Sequence, residues 1–386
     1  MNAKEGAREH YDRSREELIG LSHRLHANPE LGFEEEKGCD WLASTLADAG
    51  FDVDRGICEL PTAFLARYGS GPLHIALCAE YDALPGIGHA CGHNIIAASS
   101  VGAAIALAKV ADDVGITVSV IGTPAEENGG GKILLLERGA FKGVHASMMV
   151  HPAPLDVVDP PVIAVEQFHV HYTGKEAHAS GFPELGINAA DALVLAQTAI
   201  GLLRQHIRQS DRIHGIVTKG GDAPNVVPAH TSAVYNVRAE TLADLEHVRE
   251  KVFRCFEAGA LATGAKLEIV PDHKPYAEMR HDPDIAALYR GNAEAVGRHF
   301  PDLPLEVLKR AAGSTDMGNV SLVIPAIHPG IGVDSLPAVN HQPEFAAHCA
   351  SPAADRAVVD GALAMAWTAI DMATDDKLRA RLMKKA

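Results

Sequence analysis

The chain has 386 residues, 47% of them hydrophobic, with 34 Lys and Arg against 50 Asp and Glu for a net charge of −16. That length exceeds one ordinary hydrophobic core and predicts two domains. The acidic balance, with no Lys/Arg cluster, excludes a nucleic-acid partner, and no membrane span is expected because no apolar run of about 18 residues stands out. The polar, charged segment 1–15 lacks the apolar core of a secretory signal. Six scattered cysteines, at 39, 58, 78, 91, 255 and 349, need no disulfide framework, and a cytoplasmic protein with reduced thiols is expected.

In chain order, residues 12–27 read as a helix, with Ser14 and Glu17 spaced as a capping box, a stripe of Leu18, Leu21 and Leu25, and Pro29 beyond its end. Residues 34–49 read as a second helix, ended by Gly50. Strands and helices then alternate: strand 73–79, a helix of small residues at 94–110, strand 116–122, helix 130–138 and strand 146–150. This alternation predicts an α/β domain with a mostly parallel, helix-covered sheet. Pro152, Pro154, Pro160 and Pro161 mark a linker. Strand 163–173, helix 188–207, strands 212–219 and 229–239, helix 241–260 and strand 265–271 follow, the β-α-β-β-α-β order of a ferredoxin-like α+β sandwich. Helix 284–297, apolar segment 321–328 and helix 355–372 resume the first grammar. The expected organisation is a discontinuous catalytic metal-binding domain, 1–162 with 280–386, interrupted by a lid or dimerisation domain at 163–279.

Chemistry-bearing residues gather just after the buried-strand candidates. Glu80 and Asp82 follow strand 73–79 and lead into His89-Ala90-Cys91-Gly92-His93-Asn94; Glu126 and Glu127 follow strand 116–122; His151 follows 146–150. In an open α/β sheet the ligand site lies beyond the carboxyl ends of such strands. A thiol, imidazoles and carboxylates delivered to one sheet edge suit Zn²⁺ or a related first-row ion. Taken singly, each feature has an ordinary structural reading: a buried Cys with a capping His, a solvated acidic turn, one His among the chain's 21. The adjacent pair Glu126 and Glu127 repel if both are ionised and buried; a metal relieves that for one and leaves the other to take a proton from water. Asp82 is placed to orient a ligand. On residue types alone, His341 competes on equal terms with His281, His328 and His348 as a further ligand. Likewise His178, Asn225 and Arg238 read as ordinary turn and strand-end residues.

Taken together, Glu80–Pro85, His89–Asn94, Gly122–Glu127, Gly174–Ser180, Gly220–Pro228 and Gly313–Asn319 resemble, in order and over nearly the whole chain, the co-catalytic metallopeptidase family that contains aminoacylases, carboxypeptidase G and succinyl-diaminopimelate desuccinylase. The likeness is to its amidohydrolase branch, which includes aminobenzoyl-glutamate hydrolase subunits, auxin-conjugate hydrolases and β-alanyl-lysine-type dipeptidases. Where many members of that branch read Cys-Gly-His-Asp-x-His, this chain reads Cys91-Gly92-His93-Asn94-Ile95-Ile96, which fits the aminobenzoyl-glutamate and dipeptidase-like subgroup better.

The resemblance implies one or two divalent ions, Zn, Mn or Co, with Cys91 bridging and His93, Glu127, His151 and His341 as the other ligands. It implies Glu126 as general base, with His178 and Asn225 at the substrate or tetrahedral intermediate, His178 reaching across a homodimer, and Arg238 holding a substrate carboxylate. The expected activity is hydrolysis of a small amide that releases an amino acid: an N-acyl or N-aroyl amino acid, an aminobenzoyl-glutamate-like compound or a dipeptide. A true dipeptidase of β-alanyl or other unusual dipeptides is the alternative within that class. A non-catalytic metal- or ligand-binding partner subunit, in complex with a related chain, is the alternative outside it.

Overall fold

The computed structural model describes residues 2–384. They divide into two compact units, one comprising the chain up to Pro161 together with everything from Met279 onward, the other Val162–Glu278.

The first unit is organised by two strands, Leu73–Ala79 and Ile116–Gly122. Each is mostly apolar and buried along almost its whole length, the pattern of a parallel strand covered on both sides. They pair in parallel and in step, from Leu73↔Ile116 to Ala79↔Gly122. Their carboxyl ends therefore lie side by side, and the Thr123 N–H continues the ladder by donating to the Ala79 carbonyl at 2.8 Å. Ala146–Met148 pairs in parallel on the far side of Leu73–Ala79, and Ala326–Ile327 in parallel beyond it. On the other edge, Phe64–Tyr68 runs antiparallel to Ile116–Gly122, and Asp52–Arg55 antiparallel to Phe64–Tyr68. The sheet is thus mostly parallel with an antiparallel margin; the short, charged strand Asp52–Arg55 has no periodicity by which its sequence would reveal it.

Helix His93–Ala108 is buried at every position. Its Ala, Ser and Gly residues let Ala3–His26 and Pro352–Thr374 approach closely: a Cβ added at Gly102 would stand 2.8 Å from Tyr11, 3.1 Å from Ala362 and 3.2 Å from Leu18. Pro352–Thr374 is long and apolar enough by composition to cross a membrane, contrary to the expectation from sequence, but 78% of its apolar window is buried within the fold. It is a core helix.

Two further expectations need correction. The first helix begins at Ala3, not near residue 12, because Asn2 and Glu5 form the capping box and Ser14 lies mid-helix. His151 does not follow a strand ending at 150. The strand stops at Met148, and His151 opens a separate strand, His151–Ala153, paired in parallel with Gly330–Gly332. The break occurs where the pairing partner changes from Ala326–Ile327 to Gly330–Gly332.

The second unit is a four-stranded antiparallel sheet in the order Lys266–Pro271, Ala164–Thr173, His230–Ala239, Arg212–Lys219. Helices Ala189–Leu203 and Leu242–Thr263 pack on it through a core that includes Phe168, Tyr172, Tyr235, Val252 and Phe256. The chain order is the ferredoxin-like β-α-β-β-α-β. Arg212–Lys219 is an edge strand, with Ile216 66% and Val217 47% exposed.

Two glycine substitutions test this packing. Gly102→Val should cost about 1–3 kcal/mol by overpacking. Gly20→Ala, in an exposed helical position with nothing within 4 Å of the new Cβ, should gain about 0.5–1 kcal/mol. Denaturant unfolding measures both; a neutral Gly102→Val would contradict the close helix contact.

Candidate metal centre

All the ligand candidates come from the first unit. Because Ala79 and Gly122 are in register, Glu80 and Asp82 emerge beside Glu126 and Glu127. The Glu127 N–H donates to Asp82 Oδ2 at 2.9 Å, and Asp82 Oδ1 is 2.9 Å from His93 Nδ1. Asp82 thus fixes the imidazole with one oxygen and the glutamate backbone with the other. Gly92 brings Cys91 and His93 against the His151 segment. Its φ is +79°, and a Cβ there would stand 2.7 Å from Pro152 Cγ, so both backbone and space require glycine.

Cys91 Sγ lies 3.4 Å from His151 Nε2. The ligand atoms of Cys91, His93 and His151 fall within 4.8 Å of one another, and so do those of Cys91, Glu127 and His341. These two groups share Cys91, and a third, of Glu80, His93 and Glu126, shares His93 with the first. His341 reaches the site from a tight turn, φ +69°, whose N–H donates to the Ala90 carbonyl. Its Nε2 is 3.5 Å from Glu127 Oε1. Asn340 secures the same turn by donating to the Pro152 carbonyl at 3.0 Å. The five residues expected as ligands converge, and among the competing histidines only His341 joins them.

The electrostatics are dominated by burial. His93 Nε2 faces Glu80, Glu127 and Glu126 oxygens at 3.6, 3.7 and 3.8 Å. Burial by itself would lower the His93 pKa, but the Asp82 charge and hydrogen bond hold it well above the usual imidazole value. Burial pushes Glu126 well above the usual carboxylate range, and the charges of Glu80 and Glu127 add to it. For Glu127, burial is outweighed by the neighbouring His341 ring and the His93 charge, so it stays low. Burial also drives the Cys91 thiol well up, with Glu127 contributing.

Sequence reasoning missed a buried lysine. Lys132 Nζ is 2.5 Å from Glu80 Oε1 and 2.8 Å from Asp316 Oδ1, with all three side chains fully buried. Lys132 lies in the first turn of helix Gly131–Glu137, where nothing local in the sequence marks it as buried. His328, one of the competing histidines, lies beside the cluster without joining either Cys91-containing group. Its ring centroid is 5.2 Å from that of His151, and neither ring nitrogen has a hydrogen-bond partner.

In the second unit His178 and Asn225 lie together. Strand-like bridges join their turns, His178↔Val226, with the Ala179 N–H donating to the Asn225 carbonyl at 3.0 Å. Arg238 is not with them. It sits eight residues along the strand from His230, opposite Val165 and Arg212, which at about 3.4 Å per residue is roughly 27 Å from the strand start.

The donors fit a first-row divalent metal. Five buried or nearly buried carboxylates, of Glu80, Asp82, Glu126, Glu127 and Asp316, meet one lysine. His93 Nε2 and Glu127 Oε1 are buried without hydrogen-bond partners, which is costly unless a cation takes them. Thiolate, imidazole and carboxylate around a shared sulfur are what such an ion, or a pair of them, would take.

Comparison with known proteins agrees. The M20 peptidase dimerisation domain matches residues 166–263. Xaa-Arg dipeptidase of Mus musculus is 38% identical over 386 aligned positions, covering 96% of this chain and 88% of that protein. A p-aminobenzoyl-glutamate hydrolase subunit of Escherichia coli K12 is 35% identical, covering 66% of this chain and 57% of that protein. The crystal structure of the Bacillus subtilis YXEP protein, described as a dinuclear metal-binding peptidase from the M20 family, superposes with a TM-score of 0.68 at 22% identity, covering 93% of this chain and 99% of that one. This chain belongs to the M20 peptidase family and is a metal-dependent hydrolase of amide bonds in small substrates.

Proposed function

We propose that the protein is a dipeptidase, taking up one or two Zn²⁺, Mn²⁺ or Co²⁺ ions and releasing an amino acid with a free carboxylate. Cys91, His93, Glu127, His151 and His341 would hold the metal, which when bound supplies the Lewis acidity that activates water and polarises the amide carbonyl. The observation that carries the catalytic reading is Glu126: a buried carboxylate outside both Cys91-containing ligand groups, 3.8 Å from His93 Nε2, whose pKa its surroundings push up. Such a group can accept a proton from the attacking water and return it to the leaving nitrogen. Asp82 keeps His93 in one tautomer and orientation. His178 and Asn225 would bind the carbonyl side of the substrate, and Arg238 its carboxylate through a two-pronged contact. The dipeptide reading is favoured over N-acyl and N-aroyl amino acids by the extent of the match to the Xaa-Arg dipeptidase, nearly the whole chain, against two thirds of it for the aminobenzoyl-glutamate hydrolase.

A screen of dipeptides, including Xaa-Arg and β-alanyl compounds, beside N-acyl and aminobenzoyl amino acids tests the substrate class with each metal. Dipeptides should be hydrolysed fastest, their C-terminal amides poorly. Arg238→Lys, keeping the charge but losing the fork, should raise KM at least about tenfold for the acids. Equal rates on acid and amide would remove Arg238 from substrate binding. Metal uptake with no hydrolysis of any compound would favour the non-catalytic subunit.

We further propose that the enzyme works as a homodimer with His178 acting in its neighbour's site. Two features support this: the exposed apolar edge strand Arg212–Lys219, which pairing with a second copy would cover, and the placement of Arg238 and the His178–Asn225 pair at opposite ends of one strand. Glu126→Gln and His178→Ala should each retain metal and lose most of kcat. Mixed under conditions of subunit exchange, they should regain up to about a quarter of wild-type activity, from hybrid dimers with one intact site. Exchange without recovery would contradict action in trans.

A further inference from the structure

Glu126 and Glu127 are neighbours in sequence with different tasks, so the loop that carries them must hold one orientation. That loop is Pro124–Gly131, and its second residue, Ala125, has φ +57°. A residue with a Cβ enters this left-handed region only against a steric penalty, and Ala125 is fully buried. Something must hold it there. Within the loop, the Gly129 N–H donates to the Ala125 carbonyl at 3.0 Å, and Gly131 packs on the Pro124 carbonyl so closely that a Cβ would overlap it.

Beyond the Glu127 N–H bond to Asp82, the contacts at Ala125 and Gly129 come from a segment some ninety residues upstream, Pro29–Glu36, which supplies no metal ligand. The fully buried Glu35 carboxylate accepts the Ala125 N–H through Oε1 at 2.7 Å. A Cβ on Gly32 would stand 2.9 Å from Ala125 Cβ, and one on Gly129 would stand 2.3 Å from the Phe33 ring. Phe33 itself has φ +66°, so the segment is bent to fit the loop. Earlier in the same segment, the Glu30 carbonyl accepts the Ala83 N–H at 2.8 Å, beside Asp82. The Glu30 carboxylate in turn accepts the backbone N–H groups of Lys37 and Gly38. The same short segment thus ties down both strand-end loops, the one bearing Asp82 and the one bearing Glu126 and Glu127.

We propose that Glu35 is a positioning residue: its hydrogen bond to the Ala125 N–H, backed by Gly32 and Phe33, fixes the left-handed turn that directs Glu126 away from the ligand Glu127 and toward the reacting water. Burial, with the Asp82 charge adding to it, raises the Glu35 pKa to about 7; neutral or ionised, its oxygen accepts the buried Ala125 N–H, which would otherwise be left unsatisfied, and an amide oxygen in the same place would still accept. The inference rests on the reading of Glu126 as the base.

The test pairs amide hydrogen exchange on the metal-free full chain with kinetics and metal content of the loaded enzyme. Glu35→Ala should speed exchange in a peptide covering 124–131 at least about tenfold while leaving the helix 93–108 unchanged. It should lower kcat about tenfold or more, change KM less than about twofold and retain metal. Glu35→Gln should restore both exchange protection and most of kcat. Gly32→Ala, which presses on Ala125 without touching Glu35, should reproduce the kcat loss, and it keeps the question open to test if Glu35→Ala fails to fold. The proposal is overturned if exchange at 124–131 is unaltered, if it rises equally throughout the chain, if Gln is as damaging as Ala, or if Gly32→Ala matches wild type. Altered exchange at 124–131 with no hydrolytic activity in the wild-type protein would instead retain the brace and reject the assignment of Glu126.

Discussion

His93 is fully buried with one ring nitrogen bonded to Asp82 and the other facing carboxylates from Glu80, Glu126 and Glu127. Concentrated negative charge at the ends of two parallel strands is the constraint around which the first unit is arranged. Buried carboxylates without counter-charge are unstable, and the fold answers in three ways. Lys132 is drawn fully into the interior between Glu80 and Asp316. Asp82 is satisfied by His93 and the Glu127 backbone. What remains, the open nitrogen of His93, the unpartnered oxygen of Glu127 and the thiol of Cys91, is a donor set for metal. Charge and topology therefore belong together: the register that pairs Ala79 with Gly122 creates the repulsion, and the cation site relieves it.

Much of this was legible in the sequence. Strands 73–79 and 116–122 are short, mostly apolar runs with chemistry-bearing residues immediately after them. The second unit was legible because its helices are amphipathic and its strands alternate. Legibility failed where the decisive interaction is distant. Nothing local to Lys132 announces that Glu80 and Asp316 will enclose it, and nothing local to Glu35 announces Ala125, ninety residues on. The start of the first helix was misplaced because two capping boxes compete and the one formed by Asn2 and Glu5 prevails. His151 was placed at a strand end because the change of partner, from Ala326–Ile327 to Gly330–Gly332, is a tertiary event. Residue types alone also left four histidines level; only the fold, through the turn at His341 tied to Ala90, separates them.

On the proposed reading, the two units divide the labour. Metal donors and base come from the loops after two strands, a helix start, a strand start and the turn at His341, all in the first unit. The residues assigned to substrate sit on turns and a strand of the second unit, a separate compact body. If the proposed roles hold, chemistry on one unit and recognition on the other would let substrate specificity vary while the reaction stays the same.

The metal centre turns on Cys91 as the donor common to both ligand groups. Titrating the metal-free protein with Co²⁺ while following near-ultraviolet absorption reads that directly, because a thiolate bound to cobalt gives a charge-transfer band. The expected result is a band that grows with added cobalt, saturates by about two equivalents and is lost in Cys91→Ser while the other five cysteines remain. A band of full intensity in Cys91→Ser would place the metal on a different thiol and contradict the centre described.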